Sequence, residues 1–187
     1  NDLWDNAAIS KDGNLLAAVT TEIDSSIWVY NFTSSGWKQF KLYNPTYSEG
    51  VNGGNVLYAD AIEFDNTGQY ILYDARNIIE SATGADIDYW DVGVIRVWNN
   101  DNNAWGDGKV DKIFTQLPED ISIGNATYAK NSPYIIAFDY IDGGSGDYAV
   151  LATNTTTNTT GTVFEQNQLG YPNFSNNDDN IIFDAKN

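Results

Sequence analysis

Four stretches of this chain share one pattern, and that repetition limits the fold more than any other feature. They are "AISKDGNLLAAV" (Ala8–Val19), "EFDNTGQYILYD" (Glu63–Asp74), "TYAKNSPYIIAFD" (Thr127–Asp139) and "NFSNNDDNIIFD" (Asn173–Asp184). Each opens on an apolar or aromatic anchor: Ile9, Phe64, Tyr128 or Phe174. Four or five turn-forming polar residues follow, and then a β-rich apolar run. The anchors lie 55, 64 and 46 residues apart. Self-similarity at such a period is the mark of a repeat architecture, in which one supersecondary unit stacks on the next.

The physics of the unit is local. A strand ends at the anchor, and Asp12-Gly13, Thr67-Gly68 or Asn177-Asp178 turns the chain, because Gly, Asn and Asp reach positive φ cheaply. The next strand, as in "LLAAV", "YILYDA", "YIIAFDY" and "NIIFDA", is apolar on both faces and must be sandwiched between layers. Two outer strands follow in each unit. In the first they are "SSIWVYNF" (25–32) and "WKQFKLY" (37–43). In the second they are "VGVIRVWN" (92–99) and "KVDKIFTQL" (109–117), and in the third "DYAVLAT" (147–153) and "GTVFEQ" (161–166). The spacing is that of a four-stranded antiparallel propeller blade. Helical periodicity is nearly absent. The predicted fold is an all-β propeller sector, one domain over 1–187, with blades at about 5–43, 58–117 and 123–166 and an incomplete one at 170–187.

These stretches resemble the P-x-F-S-P-D-G-x-x-I-A-F signature of TolB-like, WD40-like β-propeller repeats. In "YPNFSNNDDNIIFDA", Pro172, Phe174, Ser175, Ile181 and Phe183 fall in place. "ISKDGNLLAAV" keeps Ser10, Asp12 and Gly13, whereas the third copy has Asn131-Ser132 where Asp-Gly is expected. The resemblance implies propellers of six to eight blades and leaves function open, because this fold serves many tasks. Three and a half blades are legible. Three explanations follow: a sector of a longer polypeptide, a subunit that closes its unpaired edge on a neighbour by strand addition, or an open solitary form exposing that edge.

Composition removes several function classes. With 26 acidic and 9 basic residues the net charge is -17, so no basic patch exists for nucleic acid or an anionic membrane. The longest apolar runs are too short to insert across a bilayer. Zero Cys and zero His exclude disulfides, thiolate sites and a Ser-His-Asp triad. In "DGGSGD" (142–147), Ser145 lacks both the nucleophile spacing and a base. No catalytic set is present, and no cofactor is required. Five N-x-[ST] sequons, at Asn31, Asn125, Asn154, Asn158 and Asn173, fit a secreted, cell-surface or periplasmic protein.

Three constellations invite chemistry. "WNNDNNAWGDGKVD" (98–111) places Asp101, Asn103, Asp107 and Asp111 on a Gly-containing loop, as calcium coordination requires. It faintly resembles dockerin-like calcium loops but has Trp105 inside the loop and Lys112 where a bidentate Glu belongs; the competing reading is a solvated hairpin. Asp74, Asp139 and Asp184 recur after the inner apolar strand, where Val19 stands in the first unit. They either ring one end of the central channel or cap loops through backbone N–H groups. "NIIESATGADIDYWD" (77–91) reads as a long loop offering Asp86, Asp88, Tyr89 and Trp90 to a partner or glycan, or packing on the next blade.

The expected function is non-enzymatic: a binding, scaffold or self-assembling subunit with a protein partner engaged through the incomplete last blade. Two alternatives stand beside it. One is a substrate-gating propeller of a prolyl-oligopeptidase-type hydrolase whose catalytic domain lies elsewhere. The other is a calcium- or glycan-binding module.

Overall fold

The computed structural model describes residues 3–45, 52–80, 84–115 and 117–185, leaving aside the side chains of 52–55. All regular structure among the described residues is β. The first blade runs β1 (Trp4–Ile9), β2 (Leu15–Thr20), β3 (Ser26–Asn31) and β4 (Gly36–Lys41), in that spatial order. The second is built of β5 (Asn52–Phe64), β6 (Tyr70–Glu80), β7 (Asp86–Arg96) and β10 (Val110–Lys112), with the two-residue strands β8 (Trp98–Asn99) and β9 (Ala104–Trp105) forming a separate hairpin. The third comprises β11 (Ile121–Tyr128), β12 (Ile135–Asp142), β13 (Asp147–Asn154) and β14 (Thr159–Gln166). The last sheet has two strands, β15 (Asn173–Phe174) and β16 (Ile181–Ile182). Every pairing is antiparallel.

The repeated turn closes the same way in three blades. Ser10 N donates to Leu15 O at 2.9 Å and Gly13 N to Ser10 O at 2.8 Å. Asp65 with Tyr70 and Gly68, and Ser175 with Asn180 and Asp178, repeat both bonds. The third position is left-handed each time, at φ 74° for Gly13, 71° for Gly68 and 63° for Asp178. That explains the Gly-or-Asp rule read from the sequence. In the third blade the turn is one residue longer, closing from Ala129 N to Ile135 O.

The second strand of each internal blade is buried on both faces, as its continuous apolar run predicts. On β6, Ile71, Tyr73 and Ala75 join a core with the first blade's Leu15, Ala17, Val19, Ile27, Val29 and Phe40. Leu72, on the opposite face, packs with Ile123, Ala126, Tyr128, Ile136 and Phe138 of the third blade. Ala137 then meets Phe174 of the fourth. The inner strands run through bulges at residues 4–7, 59–62 and 124–127, which twist them and expose backbone N–H groups.

Two sequence expectations need correction. The 77–91 segment is not an irregular loop. The β6–β7 ladder continues through Asn77↔Tyr89 and Ile78↔Asp88 to Glu80↔Asp86, so the segment is a long two-stranded extension of the blade. Ser81, Ala82 and Thr83 lie outside the described residues. The fourth strand of the second blade is also shorter than 109–117: it spans Val110–Lys112, with Lys109 O and Ile113 N adding one backbone bond to β7 at each end.

Candidate functional site

The four polar turns converge at one end of the blade row. There a cleft of about 400 Å³ is lined by Ile9 and Lys11 of the first blade, Glu63 and Asn66 of the second, Lys130 and Asn131 of the third, and Asn176 of the fourth. Glu63 organises it. Its Oε1 pairs with Lys130 Nζ at 2.6 Å, and its Oε2 accepts bonds from Thr127 Oγ1 at 2.7 Å and Tyr128 N at 2.8 Å. Lys11 Nζ reaches across to Lys130 O at 3.3 Å, linking the first blade to the third. Asp178 accepts Lys130 N at 2.6 Å and Asn131 N at 2.9 Å, fastening the fourth turn to the third. Each cation in the cleft already has an oxygen partner, so the arrangement locks blades together.

The repeated carboxylates form a second polar system, and here the expectation of a channel rim fails. Asp74 and Asp139 are buried between blades, at 2% and 1% exposure. Asp74 accepts Ala61 N at 2.7 Å within its own blade and Asn125 N at 2.6 Å from the next. Asp139 accepts Asn125 Nδ2 at 2.9 Å from its own blade, then Gly170 N at 2.8 Å and Tyr171 N at 3.0 Å from the next. The acids face sideways because an inner-strand position alternates between the two neighbouring blades rather than pointing down the axis. Both bond backbone N–H groups of the following blade, and Asp74 bonds one of its own blade as well. Burial pushes the Asp74 carboxyl up to about 6, against the pull of the Asn125 and Ala61 N–H groups and with help from nearby Asp60. Asp184 is exposed.

The receiving segments share a feature that sequence reading passed over. They are "GNATY" (Gly124–Tyr128) and "GYPNF" (Gly170–Phe174). The residue after the glycine is left-handed in both, at φ 50° for Asn125 and 46° for Tyr171, and its N–H points at the acid. A Cβ on Gly124 falls 3.1 Å from Asp74 Oδ2, and one on Gly170 falls 3.2 Å from Asp139 Oδ1 and 2.5 Å from Val150 Cγ2. Glycine four residues before the anchor aromatic was the available signal.

The proposed calcium ligands do not come together. Asp101 and Asn103 sit in the exposed β8–β9 turn, Asn103 at φ 49°. Asp107 Oδ1 accepts Lys109 N at 3.1 Å, and Asp111 pairs with Lys109 Nζ at 2.8 Å on the surface. Among the described residues no group of three acidic side chains converges. The hairpin instead extends the core between the first two blades: Trp98 and Trp105 pack edge to face at 5.3 Å, and Trp105 meets Phe40.

The 86–90 residues are spread along β7. Asp86 is exposed, Asp88 pairs with Arg76, Tyr89 OH accepts Asn44 Nδ2 at 2.8 Å, and Trp90 packs on Tyr58 at 5.7 Å. Among the sequons, Asn158 and Asn173 are exposed and Asn154 is half-buried. Asn31 is buried, its Oδ1 accepting Ser34 N at 2.9 Å, and Asn125 is engaged with Asp139.

Among the described residues, both end blades carry exposed apolar side chains. On the first blade, Trp4 stacks on Trp37 at 5.6 Å, and Tyr30 contacts both Trp37 and Phe32. Trp4, Trp37, Phe32 and Ile9 are 40%, 48%, 49% and 60% exposed. At the other end Ile182 is 64% exposed beside Asp184.

No family model matches the chain, and no curated protein sequence matches it. Solved structures do. A chain of the nidogen/laminin complex is similar at 9% identity and a TM-score of 0.53, over 89% of this chain and 50% of its own length. TolB from Acinetobacter baumannii is similar at 14% identity and a TM-score of 0.46, over 100% of this chain and 49% of its own. An oligogalacturonate lyase in complex with manganese is similar at 8% identity and a TM-score of 0.42, over 97% and 58%. With the four-stranded antiparallel sheets, the likeness to the nidogen/laminin chain shows the fold of a β-propeller. The chain spans about half the length of the first two of these structures.

Proposed function

We propose that the protein is a non-enzymatic binding and assembly module that engages other blade-like sheets through the uncovered faces of its end blades, and that it works outside the cytoplasm, at a cell surface or in the periplasm. One observation carries this reading: the outer face of the first blade is a contiguous aromatic surface of Trp4, Tyr30, Phe32 and Trp37 beside Ile9. An exposed apolar patch of this kind marks an interaction surface, and flat aromatic rings supply most of the energy at such contacts. In the interior of the row the equivalent faces are covered by a neighbouring blade. The exposed sequons Asn158 and Asn173 fit the proposed location. No cofactor enters this activity.

Sedimentation velocity over a range of concentrations tests it. The wild-type chain is expected to grow in average mass as concentration rises, and the double variant Trp4→Ser, Trp37→Ser to remain monomeric. A wild-type chain that stays monomeric at every concentration sinks the self-associating form of the proposal.

A further inference from the structure

Asp184 stands where Asp74 and Asp139 stand, two residues beyond Ile182, as Asp74 follows Leu72 and Asp139 follows Ala137. In the two internal copies this apolar–acid pair is the seat for the next blade. Leu72 and Ala137 take an apolar residue of the incoming inner strand, and the carboxylate takes the N–H groups at its start. In the fourth copy both members are exposed, while the neighbouring Ile181 and Phe183 point back onto the third blade. The backbone is already in place, with Asp184 N donating to Gly170 O at 2.7 Å.

We infer that Ile182 and Asp184 form a docking site for one kind of segment: an extended strand of the form Gly-X-[Ala/Pro]-polar-aromatic, held by the N–H of its left-handed X residue on the Asp184 carboxylate. This deepens the proposed blade-face association and rests on it.

The chain itself supplies the rule of recognition. The blade after Asp74 begins Gly124-Asn125, and the blade after Asp139 begins Gly170-Tyr171. The blade after Val19, where no acid is present, begins Asp60-Ala61. Acid and glycine occur together, and where the acid is missing so is the glycine. The cause is steric and electrostatic: the carboxylate comes within 3.1–3.2 Å of the Cβ position, and an acidic side chain there places two negative charges in contact.

The same rule excludes the first blade of a second copy. Its inner strand reads "DNAAI" (Asp5–Ile9), with Asp5 in the glycine position. Asp5 already helps burial to push the Asp60 carboxyl up. Seating it on Asp184 adds another acid to that group.

The probe is the synthetic peptide ISIGNATYAK, the sequence of Ile121–Lys130, fluorescently labelled and titrated with the intact chain. Saturable binding is expected, weakened at least tenfold by Asp184→Ala and Asp184→Asn in the protein, and equally by the peptide in which Asp replaces the glycine. Asp184 is exposed and its side chain makes no hydrogen bond to the described residues, so these variants are expected to keep the wild-type circular dichroism spectrum. Absence of saturable binding, or binding indifferent to both changes, overturns the inference. So does a dimer of the peptide-free chain that is lost in both Asp184→Ala and Asp5→Ala, because the second copy's first blade is then the occupant. Association through Trp4 and Trp37 is measured separately: if it persists while the peptide fails to bind, only the docking site falls.

Discussion

The junction between the first and second blades and the two junctions after it solve one problem with different chemistry. Val19 fills the first slot, inside a continuous core that takes in both sheets and the β8–β9 hairpin. Asp74 and Asp139 fill the corresponding slots further on, where the shared apolar clusters are smaller. An apolar slot tolerates any strand that fits its shape. A buried carboxylate demands N–H donors at one place, and leaving it without them costs more than the bond contributes when made. The acid junctions therefore specify which strand sits where, and the apolar junction supplies bulk cohesion.

Breaking an acid junction is expected to have the largest effect. Asp139→Ala strands Gly170 N, Tyr171 N and Asn125 Nδ2 in a buried setting, for a loss on the order of 3 kcal/mol or more in urea unfolding. Detachment of the fourth blade appears as an early, separate loss of protection around Phe174. A change below 1 kcal/mol puts the specifying role in doubt.

The Asp74 junction also brings a pH dependence that the Val19 junction lacks. Unfolded, Asp74 loses its proton near its ordinary 3.8; folded, it holds it to about 6. Between those values the folded chain binds more protons, so this site loses stability as pH rises, by at most about 3 kcal/mol once above 6. Asp74→Asn is expected to flatten that segment of the stability–pH curve, at the cost of one N–H bond at every pH. Parallel curves for the two proteins count against it.

A smaller loss, about 1–3 kcal/mol, is expected for Gly170→Ala, since the new methyl meets Val150 Cγ2 and Asp139 Oδ1. Chemical denaturation at constant slope is the check. The smallest effect is expected at the apolar junction: Val19→Ala removes buried methyls without stranding a polar group, for about 1–2 kcal/mol. Should Val19→Ala prove worse than Asp139→Ala, the division of labour between the junctions is reversed.

Much of the fold was legible because the repeat unit is local. The turns from Ser10, Asp65 and Ser175 need a left-handed residue, and Gly13, Gly68 and Asp178 supply it. The doubly apolar second strands announce burial on both faces. What escaped was non-local. Nothing within 77–91 says that its two arms pair with each other and carry the β6–β7 ladder on from Asn77↔Tyr89 to Glu80↔Asp86. The repeated acids were visible, but their direction depends on which face of the strand a neighbouring blade covers, and that is settled between units. Asn125 shows the limit well. As a sequon it reads as surface, yet its amide bridges two blades through Asp74 and Asp139.

The shared clusters shrink along the row, from the broad one joining the first two blades to the trio of Ala129, Ala137 and Phe174 at the last. In a row where units mostly touch their neighbours, stability behaves as a one-dimensional chain of couplings. Such a chain frays from its weakest end. On heating, the protein is expected to come apart as a zipper does, releasing the fourth turn first and the pair of tryptophan-lined leading blades last.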